Sequence, residues 1–313
     1  MKFIDLHCDT AGRIFYEKLH LNKSICKVDI EKLKKGNCLG QVFAIFVDQK
    51  LNPDPYEEFI KIYERFIHEV EANSLDIEIV KNMDELNRAE SENKIGAFLS
   101  IEEGEVVKGS VNKLHDVYNK GIRILTITWN YKNKLGYPNY QFKYKDKGLT
   151  EKGREIVYEC EKLGIIPDVS HLSDKGFYDL IDICTKPFIA SHSNARAITN
   201  HPRNLTDDMI RALANKGGIM GLNFCSEFLQ NHDKEIAELE SIALHAEHIK
   251  NVGGIDVLCI GSDFDGISNE VEIRDASEFD KLYSVLEKHN FTQREIDKVF
   301  SGNVKRVFKE TLK

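Results

Sequence analysis

Short apolar runs alternate with longer amphipathic segments along most of the chain. A short apolar run between Gly, Pro, Asn or Asp residues is typical of a buried strand, whereas apolar positions repeated every three or four residues predict a helix. Eight strands are predicted, at Lys2–Leu6, Gln41–Val47, Gly96–Ile101, Ile124–Thr128, Ile165–Ser170, Phe188–Ser191, Ile219–Phe224 and Val257–Ser262. Helices are predicted between them, at Asp29–Lys35, Tyr56–Ala72, Met83–Glu92, Val111–Lys120, Thr150–Leu163, Asp174–Ile183, Asp207–Asn215 and Lys234–Asn251.

Further helices are predicted after the last strand, at Ser277–His289, Thr292–Ser301 and Asn303–Lys309. Buried strands separated by helices indicate parallel strands joined by right-handed crossovers. Eight such units predict a closed (β/α)8 TIM barrel, whose usual length of about 250 residues leaves room for the C-terminal helices. We therefore expect residues 1–313 to form a single barrel domain.

An open, doubly wound sheet is the alternative architecture. It favours a glycine-rich phosphate loop directly after the first strand. The sequence there reads DLHCDT, which contains no glycine. The pattern therefore favours the closed barrel.

The composition narrows the class of protein. A net charge of −8 argues against general nucleic-acid binding. No apolar run approaches the roughly 20 residues that span a bilayer, and the N-terminus leads into a strand without the pattern of a secretory signal. Seven cysteines with no C-x-x-C motif are expected to be reduced thiols. We expect a cytoplasmic protein with no nucleic-acid or membrane partner.

Residues suited to bind metals follow several predicted strands. They are His7 and Asp9 after the first strand, Glu102 after the third, His171 after the fifth, His192 after the sixth, and Asp263 and Asp265 after the eighth. Barrel enzymes carry their catalytic residues at these strand ends. Each residue has an individual alternative, such as a packed core histidine, a solvated acidic loop or a turn cap made by Asp265 with Gly266. Their recurrence at five strand ends favours a shared site.

Successive side chains along a strand point to opposite faces, which predicts where the side chains of these residues point. His7 and Asp9 are two positions apart, so they share one face while Cys8 points away. Glu102 lies on the polar face of the third strand, so we expect its side chain to point into the barrel mouth. Glu103, the next residue, is expected to point outward.

The residue types predict a binuclear metal site. Two cations about 3.5–4 Å apart need a bridging anion, which Glu102 can supply, and water between them becomes a nucleophile near neutral pH. The expected ligands of two divalent ions, with zinc favoured, are His7 and Asp9 on one ion and His171 and His192 on the other. Asp263 is then left to transfer protons.

Six segments resemble motifs of the renal (membrane) dipeptidase family of binuclear zinc peptidases, which have amidohydrolase-like barrels. The segments are DLHCDT, SIEEGE, GLTEKGREIVYECEKLGIIPDVSHLS, ASHSNARAITNHPRNLTDD, HIKNVGGIDVLCIGSDFDG and GNVKRVFK. The resemblance implies a metal-dependent dipeptidase that acts on small dipeptides, with the ligands named above and Asp263 as acid and base. It also implies that Arg203 binds the substrate's terminal carboxylate. A surface ion pair with Asp207 or Asp208 is the alternative for Arg203.

The sequence departs from the family pattern at two positions. Trp129 stands in ITWNYKN where vertebrate members carry a histidine, and Glu103 replaces the glycine after the bridging glutamate. An indole N–H donates a hydrogen bond but accepts no proton. We therefore expect Trp129 to line the substrate pocket, either as a donor to the substrate carbonyl or as a hydrophobic wall.

Two other functions compete with the dipeptidase prediction. One is a binuclear amidohydrolase acting on another small amide, a lactone or a phosphoester; Arg203 and the lack of a candidate carboxylated lysine count against it. The other is a barrel that keeps the metals but has no activity, which Asp263 argues against. A homodimer is among the assemblies that we expect.

Overall fold

The computed structural model describes residues 1–230 and 235–313. The strands are β1 (Phe3–Cys8), β2 (Cys38–Phe46), β3 (Ile77–Ile79), β4 (Ile95–Glu102), β5 (Ile122–Thr126), β6 (Ile166–Asp168), β7 (Ile189–Ala190), β8 (Ile219–Leu222), β9 (Ile236–Ala237), β10 (Leu258–Ile260) and β11 (Glu270–Val271). The helices are α1 (Thr10–Glu17), α2 (Ile30–Lys35), α3 (Pro55–Ala72), α4 (Met83–Ser91), α5 (Val111–Asn119), α6 (Glu151–Leu163), α7 (Asp174–Ile183), α8 (Asp207–Asn215), α9 (Ser226–Leu229), α10 (Leu239–Gly253), α11 (Phe279–Lys288), α12 (Gln293–Asp297) and α13 (Asn303–Thr311).

Eight of these strands close a parallel barrel. The neighbours run in the order β1, β2, β4, β5, β6, β7, β8 and β10, and β10 pairs again with β1. All eight predicted strands are present, with ends that differ by a few residues. The (β/α)8 prediction is therefore confirmed, and the open sheet is wrong.

Some short elements were not predicted. β3 pairs with the first part of β4, while β5 pairs with the later part, so β3 extends the barrel wall at its lower end. The pair β9 and β11 and the helices α1 and α9 are also additional. Each is short, so hydrophobic periodicity has few positions in which to show itself. The predicted helix Lys234–Asn251 begins at a residue outside the described part of the chain; α10 begins at Leu239.

Side-chain caps explain why most helices begin where they do. The side chains of Asp29, Asp54, Asn82, Ser110, Thr150, Ser173, Thr206 and Thr292 each accept a hydrogen bond from a backbone N–H in the first turn of the helix that follows. Pro55 occupies the first turn of α3, and Thr292 with Glu295 forms the predicted capping box of α12.

The two faces of β4 pack against different parts of the core. Ala97, Leu99 and Ile101 join the large apolar layer between barrel and helices. Phe98 faces the other way, and its ring centroid lies 4.7 Å from that of Phe308 on α13. The C-terminal helix therefore covers the lower end of the barrel, and the upper end is left for polar residues.

Within residues 1–230 and 235–313, no helix is both long enough and apolar enough to cross a membrane.

Candidate metal centre

The barrel brings the predicted strand-end residues together at its upper mouth. His7 lies near the end of β1 and Glu102 ends β4, while His171, His192 and Asp263 follow β6, β7 and β10. All five residues are buried, with between 1% and 9% of their surface exposed. Asp9 is less buried and lies at the rim. The closed barrel thus brings six residues from the ends of five strands into one cluster.

Glu102 lies between His7 on one side and the pair His171 and His192 on the other. Its Oε2 is 3.4 Å from His7 Nε2. Its Oε1 is 3.0 Å from His171 Nε2 and 3.7 Å from His192 Nε2. The two carboxylate oxygens therefore serve opposite sides of the cluster, which is the arrangement that a bridging carboxylate requires.

The possible ligand atoms fall into overlapping groups within 4.8 Å of one another. The groups are His7, Asp9 and Glu102; Glu102, His171 and His192; and His7, His192 and Asp263. The first two groups share Glu102 and match the division expected from the sequence. The third includes Asp263, so its carboxylate is also close enough to act as a ligand.

Hydrogen bonds at Nδ1 direct the Nε2 atoms of His171 and His192 into the cluster, where they lie 3.1 Å apart, close enough to ligate one cation. Asn130 Oδ1 lies 3.0 Å from His171 Nδ1 and accepts a hydrogen bond from its N–H. Ser191 Oγ donates to Asp168 Oδ2 at 2.6 Å, so it accepts from His192 Nδ1 at 2.7 Å. In both rings the proton is on Nδ1 and the lone pair is on Nε2, which points toward Glu102. Partners of this kind fix the tautomer of metal-binding histidines.

We expect Ser191→Ala to lower metal affinity by about 10–100-fold, the usual effect of removing a partner of a ligating histidine. The reason is that His192 Nδ1–H loses its acceptor. A competition titration with a chelator measures the change. Ser193→Ala is the control, since Ser193 contacts Ser170 but neither histidine ring. Equal metal affinity in both variants would refute this role for Ser191.

Two buried carboxylates support the cluster from below. Asp168 accepts hydrogen bonds from the backbone N–H groups of Ser170 and Ser191 at 3.0 and 2.9 Å. Asp5 accepts from the backbone N–H and the hydroxyl of Ser262 at 2.9 and 2.6 Å. Each carboxylate joins the ends of neighbouring strands, so it holds the strand ends that carry the candidate ligands.

Burial and neighbouring charges shift the pKa values of the clustered side chains in different directions. Burial lowers the pKa of His171 to about 4 and that of His192 well below its usual value. Burial raises the pKa of Asp9 to about 8, and the neighbouring Glu102 adds to the effect. For Glu102 itself, burial is outweighed by His7 and His171, which lower its pKa. Burial opposes protonation of His7, but Glu102 and Asp9 outweigh it and raise its pKa well above the usual value. A divalent cation would take the place of that proton and stabilise the mutually repelling carboxylates.

Asp263 is buried at the edge of the cluster, and its side chain accepts one short hydrogen bond. Its Oδ2 accepts a hydrogen bond from Asn223 Nδ2 at 2.8 Å, and its Oδ1 lies 3.8 Å from His7 Nε2. Burial raises the pKa of Asp263 to about 6, although His7 opposes the shift. A carboxyl group with such a pKa can both accept and release a proton near neutral pH.

Arg203 points into the site instead of forming a surface ion pair. Its Nη2 donates to the carbonyl of His192 at 3.2 Å, while Nε and Nη1 are buried without a partner among the described residues. Asp207 pairs with His248 and Asp208 with Arg211. The surface-pair alternative is therefore wrong.

A cavity of about 500 Å³ opens above the cluster, and we call it the main cavity. Its lining includes Glu102, His171, Arg203 and Asp263, with Trp129 and Phe46 as an aromatic wall. The rings of Trp129 and Phe46 have centroids 4.7 Å apart. Of the described residues, none accepts a hydrogen bond from the Trp129 indole, so both the donor and the wall remain possible roles.

The family model for membrane dipeptidases, peptidase family M19, matches residues 1–313.

This chain belongs to the membrane dipeptidase family.

Related proteins fit that assignment. An uncharacterized dipeptidase of Schizosaccharomyces pombe is 30% identical over 299 residues, which cover 90% of this chain and 72% of the relative. An uncharacterized protein encoded in the pqqA 5′ region of Klebsiella pneumoniae is 32% identical over 231 residues, covering 72% of this chain and 85% of the relative.

A solved structure shows the same fold over nearly the whole chain. It is a metallo peptidase from Rhodobacter sphaeroides with a TM-score of 0.92 and 24% identity, and the match covers 99% of each chain. That protein was solved with a phosphinate mimic of the dipeptide L-Ala-D-Ala. The predicted family is confirmed, and membership supports dipeptide hydrolysis over the other amidohydrolase reactions considered above.

Two further acidic residues of this dipeptidase-family chain are buried outside the groups of candidate ligands. Asp265 belongs to none of the ligand groups found among the described residues: its buried carboxylate accepts from Thr10 Oγ1 at 2.7 Å, Lys27 N at 2.8 Å and Arg13 Nη1 at 2.9 Å. Glu103 leaves the strand with φ of 90°, is fully buried and does not line the main cavity.

Glu103 instead fastens the loop that follows β5. Its carboxylate accepts from the backbone N–H of Trp129 at 3.2 Å, from Gln49 Nε2 at 3.3 Å and from the side chain of Asn133. Burial raises the pKa of Glu103 to about 7. The residue that replaces the family glycine therefore holds the Trp129 wall in position.

Backbone geometry around the centre was not visible in the sequence. Glu103, His171, Asp263 and Asp265 all have φ between 62° and 90°, in the region that favours glycine. Such conformations cluster at functional sites, because the surrounding structure must hold them. At Gly266, an added Cβ would lie 2.1 Å from Asp9 Oδ2, so only glycine fits beside the candidate ligand.

Proposed function

We propose that this chain is a metal-dependent dipeptidase that hydrolyses the peptide bond of free dipeptides. The observation that carries the proposal is Glu102, which directs one oxygen to His7 and the other to His171 and His192. Family membership and the main cavity, which suits a small substrate, support the same conclusion.

The proposed cofactor is a pair of divalent ions, with zinc favoured because the donors are imidazole and carboxylate. His7 and Asp9 would hold one ion, His171 and His192 the other, and Glu102 both. The residues fit: His7 Nε2 and Asp9 Oδ1 are buried without a hydrogen-bond partner among the described residues. Bound metal ions of this kind polarise a carbonyl oxygen and lower the pKa of water.

Asp263 is the proposed acid and base. Its Oδ1 faces the cluster, and Asn223 fixes the other carboxylate oxygen, so the carboxyl group has one defined orientation. It would accept a proton from the attacking water and pass it to the leaving amine. The peptide nitrogen then departs as a neutral amine.

Arg203 is the proposed binder of the substrate's terminal carboxylate. A dipeptidase must recognise a carboxylate one residue beyond the bond that it cuts. The guanidinium lines the main cavity with two donors unpaired, and it is one of two arginines in the lining. A planar guanidinium can hold both oxygens of a carboxylate.

Hydrolysis assays separate this function from its alternatives. The purified protein, loaded with zinc, should hydrolyse free dipeptides and leave lactones and phosphoesters intact, and elemental analysis should find two metal ions per chain. Activity only on a lactone or phosphoester would establish the other amidohydrolase function. Metal binding without any hydrolysis would establish the non-catalytic barrel.

We expect Arg203→Ala to lower kcat/KM on dipeptides by about 10–100-fold, since a charge-assisted hydrogen bond contributes roughly 1.5–3 kcal/mol. Dipeptides amidated at the C-terminus should be poor substrates for the parent and should lose much less in the variant. Arg211→Ala, which removes an exposed arginine paired with Asp208, is the control. If parent and variant discriminate equally between acid and amide, Arg203 does not bind the carboxylate.

We also propose that the protein works in the cytoplasm. The seven cysteines are all free thiols in the structure, and five of them are buried. Free thiols in this number are typical of a reducing compartment. A homodimer remains a prediction, which sedimentation analysis would test.

A further inference from the structure

A second cavity of about 420 Å³ lies beside the main cavity, and we call it the side cavity. Its lining residues are Gln49, Lys50, Asn130, Tyr131, Lys132, Tyr140, Gln141, Lys143 and Tyr144. Asn130 lines both cavities. The two spaces therefore meet at a common wall.

The common wall is a single layer of side chains from one short stretch. Asn130 accepts a hydrogen bond from His171, so its amide borders the candidate metal centre. The ring centroid of Tyr131, in the side cavity, is 5.3 Å from that of Trp129, in the main cavity. The two cavities are therefore neighbours at Asn130, Trp129 and Tyr131.

The charge of the side cavity is positive. Lys50, Lys132 and Lys143 line it, and no carboxylate residue does. None of the three lysines forms an ion pair within residues 1–230 and 235–313. Lys50 Nζ instead lies 3.8 Å from the ring centroid of Tyr131. Three unpaired ammonium groups around one concave surface attract an anion.

Neighbouring carboxylates do not neutralise these lysines. Asp48 Oδ1 accepts from the backbone N–H of Lys50 at 2.8 Å, within its own turn. Glu103 is fully buried and accepts from Trp129, Gln49 and Asn133. Neither carboxylate lines the side cavity, although both add to the effect of burial in raising the pKa of Tyr131.

The main cavity has the opposite balance. Its lining contains six carboxylate residues and two arginines. The carboxylates are Asp9, Glu17, Glu102, Glu227, Asp263 and Asp265. With the two divalent ions of the proposed function bound, these carboxylates and arginines are balanced in charge, so the lysines of the side cavity are left to attract a second negative charge on a substrate.

We propose that the side cavity binds the carboxylate of an acidic side chain of the substrate, so that dipeptides containing Glu or Asp are preferred. This inference rests on the proposed function and names its substrate class. Lys50, Lys132 and Lys143 supply the charge, and the tyrosine hydroxyl groups supply further donors.

Paired substrates test the proposal. Glu-Ala is compared with Gln-Ala, and Ala-Glu with Ala-Gln, because each pair differs in charge but little in shape. At low ionic strength the parent should prefer the acidic member of at least one pair by about tenfold, the sum expected of a few exposed charge pairs. The preference should fall as salt is added.

A triple variant, Lys50→Gln with Lys132→Gln and Lys143→Gln, should bring the ratio of kcat/KM values close to one. The matched control replaces Lys145, Lys288 and Lys309 by Gln. It removes the same charge from exposed positions outside the side cavity and should keep the ratio. If the triple variant does not fold, the three single variants are compared, and at least one must lower the ratio.

The outcomes distinguish this inference from the proposed function. Hydrolysis of Ala-Ala with no preference for the acidic member overturns the inference and leaves the dipeptidase function standing. A preference that persists without the three lysines also overturns it. Failure to hydrolyse any dipeptide overturns both.

Discussion

Asp263→Asn is expected to lower kcat on dipeptides by about 10²–10⁴-fold, the usual contribution of general acid–base catalysis. The amide keeps the shape of the carboxyl group but cannot take up a proton. Both metal ions should remain, because the proposed ligands are other residues. Turnover and metal content are measured on the same preparation.

The control for this variant is Asp208→Asn, which changes an exposed carboxylate paired with Arg211. A fully active Asp263→Asn enzyme would remove Asp263 from the mechanism. Loss of a metal ion would instead make it a ligand, as its proximity to His7 and His192 allows. The experiment therefore decides between the two roles that the geometry permits.

Glu102→Gln is expected to weaken the binding of both metal ions together, by more than the roughly 10–100-fold typical of residues that only support a ligand. The carboxylate presents one oxygen to His7 and the other to His171 and His192. The glutamine amide keeps one oxygen, but its NH₂ group cannot ligate a cation. Activity should disappear with the metal.

Elemental analysis after dialysis, followed by a chelator titration, measures both ions. Glu105→Gln is the matched control, because Glu105 lies in the same loop and pairs with Lys134 outside the cluster. Loss of one ion with retention of the other would show that Glu102 does not serve both. Its assignment as the bridge would then be wrong.

The barrel and the identity of its strand-end residues were predictable because both depend on local patterns. Each barrel strand is a short apolar run, and each was predicted within a few residues of its observed ends. Parallel strands joined by helices place all their carboxyl ends on one side. His7, Glu102, His171, His192 and Asp263 therefore had to meet once the barrel closed.

The hydrogen-bond partners of those residues were harder to predict from the sequence. Asp5 was the best available signal, since a carboxylate within a buried apolar strand must find hydrogen-bond donors. Nothing in the sequence indicated the roles of Ser191 and Asn130, because serine and asparagine next to a strand are also common in ordinary turns. Their roles depend on residues far away in the chain, such as Asp168 and His171.

By itself, the sequence determined the (β/α)8 class, the family and the residues at the strand ends, because alternation and motif spacing are properties of neighbouring positions. Only the tertiary structure decided the orientation of Arg203, the burial of Glu103 and the wall that Asn130 shares between two cavities. Each of these depends on contacts between loops that are distant in the chain. Glu103 shows the reason most clearly: strand alternation predicts only that it points outward, whereas the fold buries its carboxylate against the backbone N–H of Trp129 in another loop.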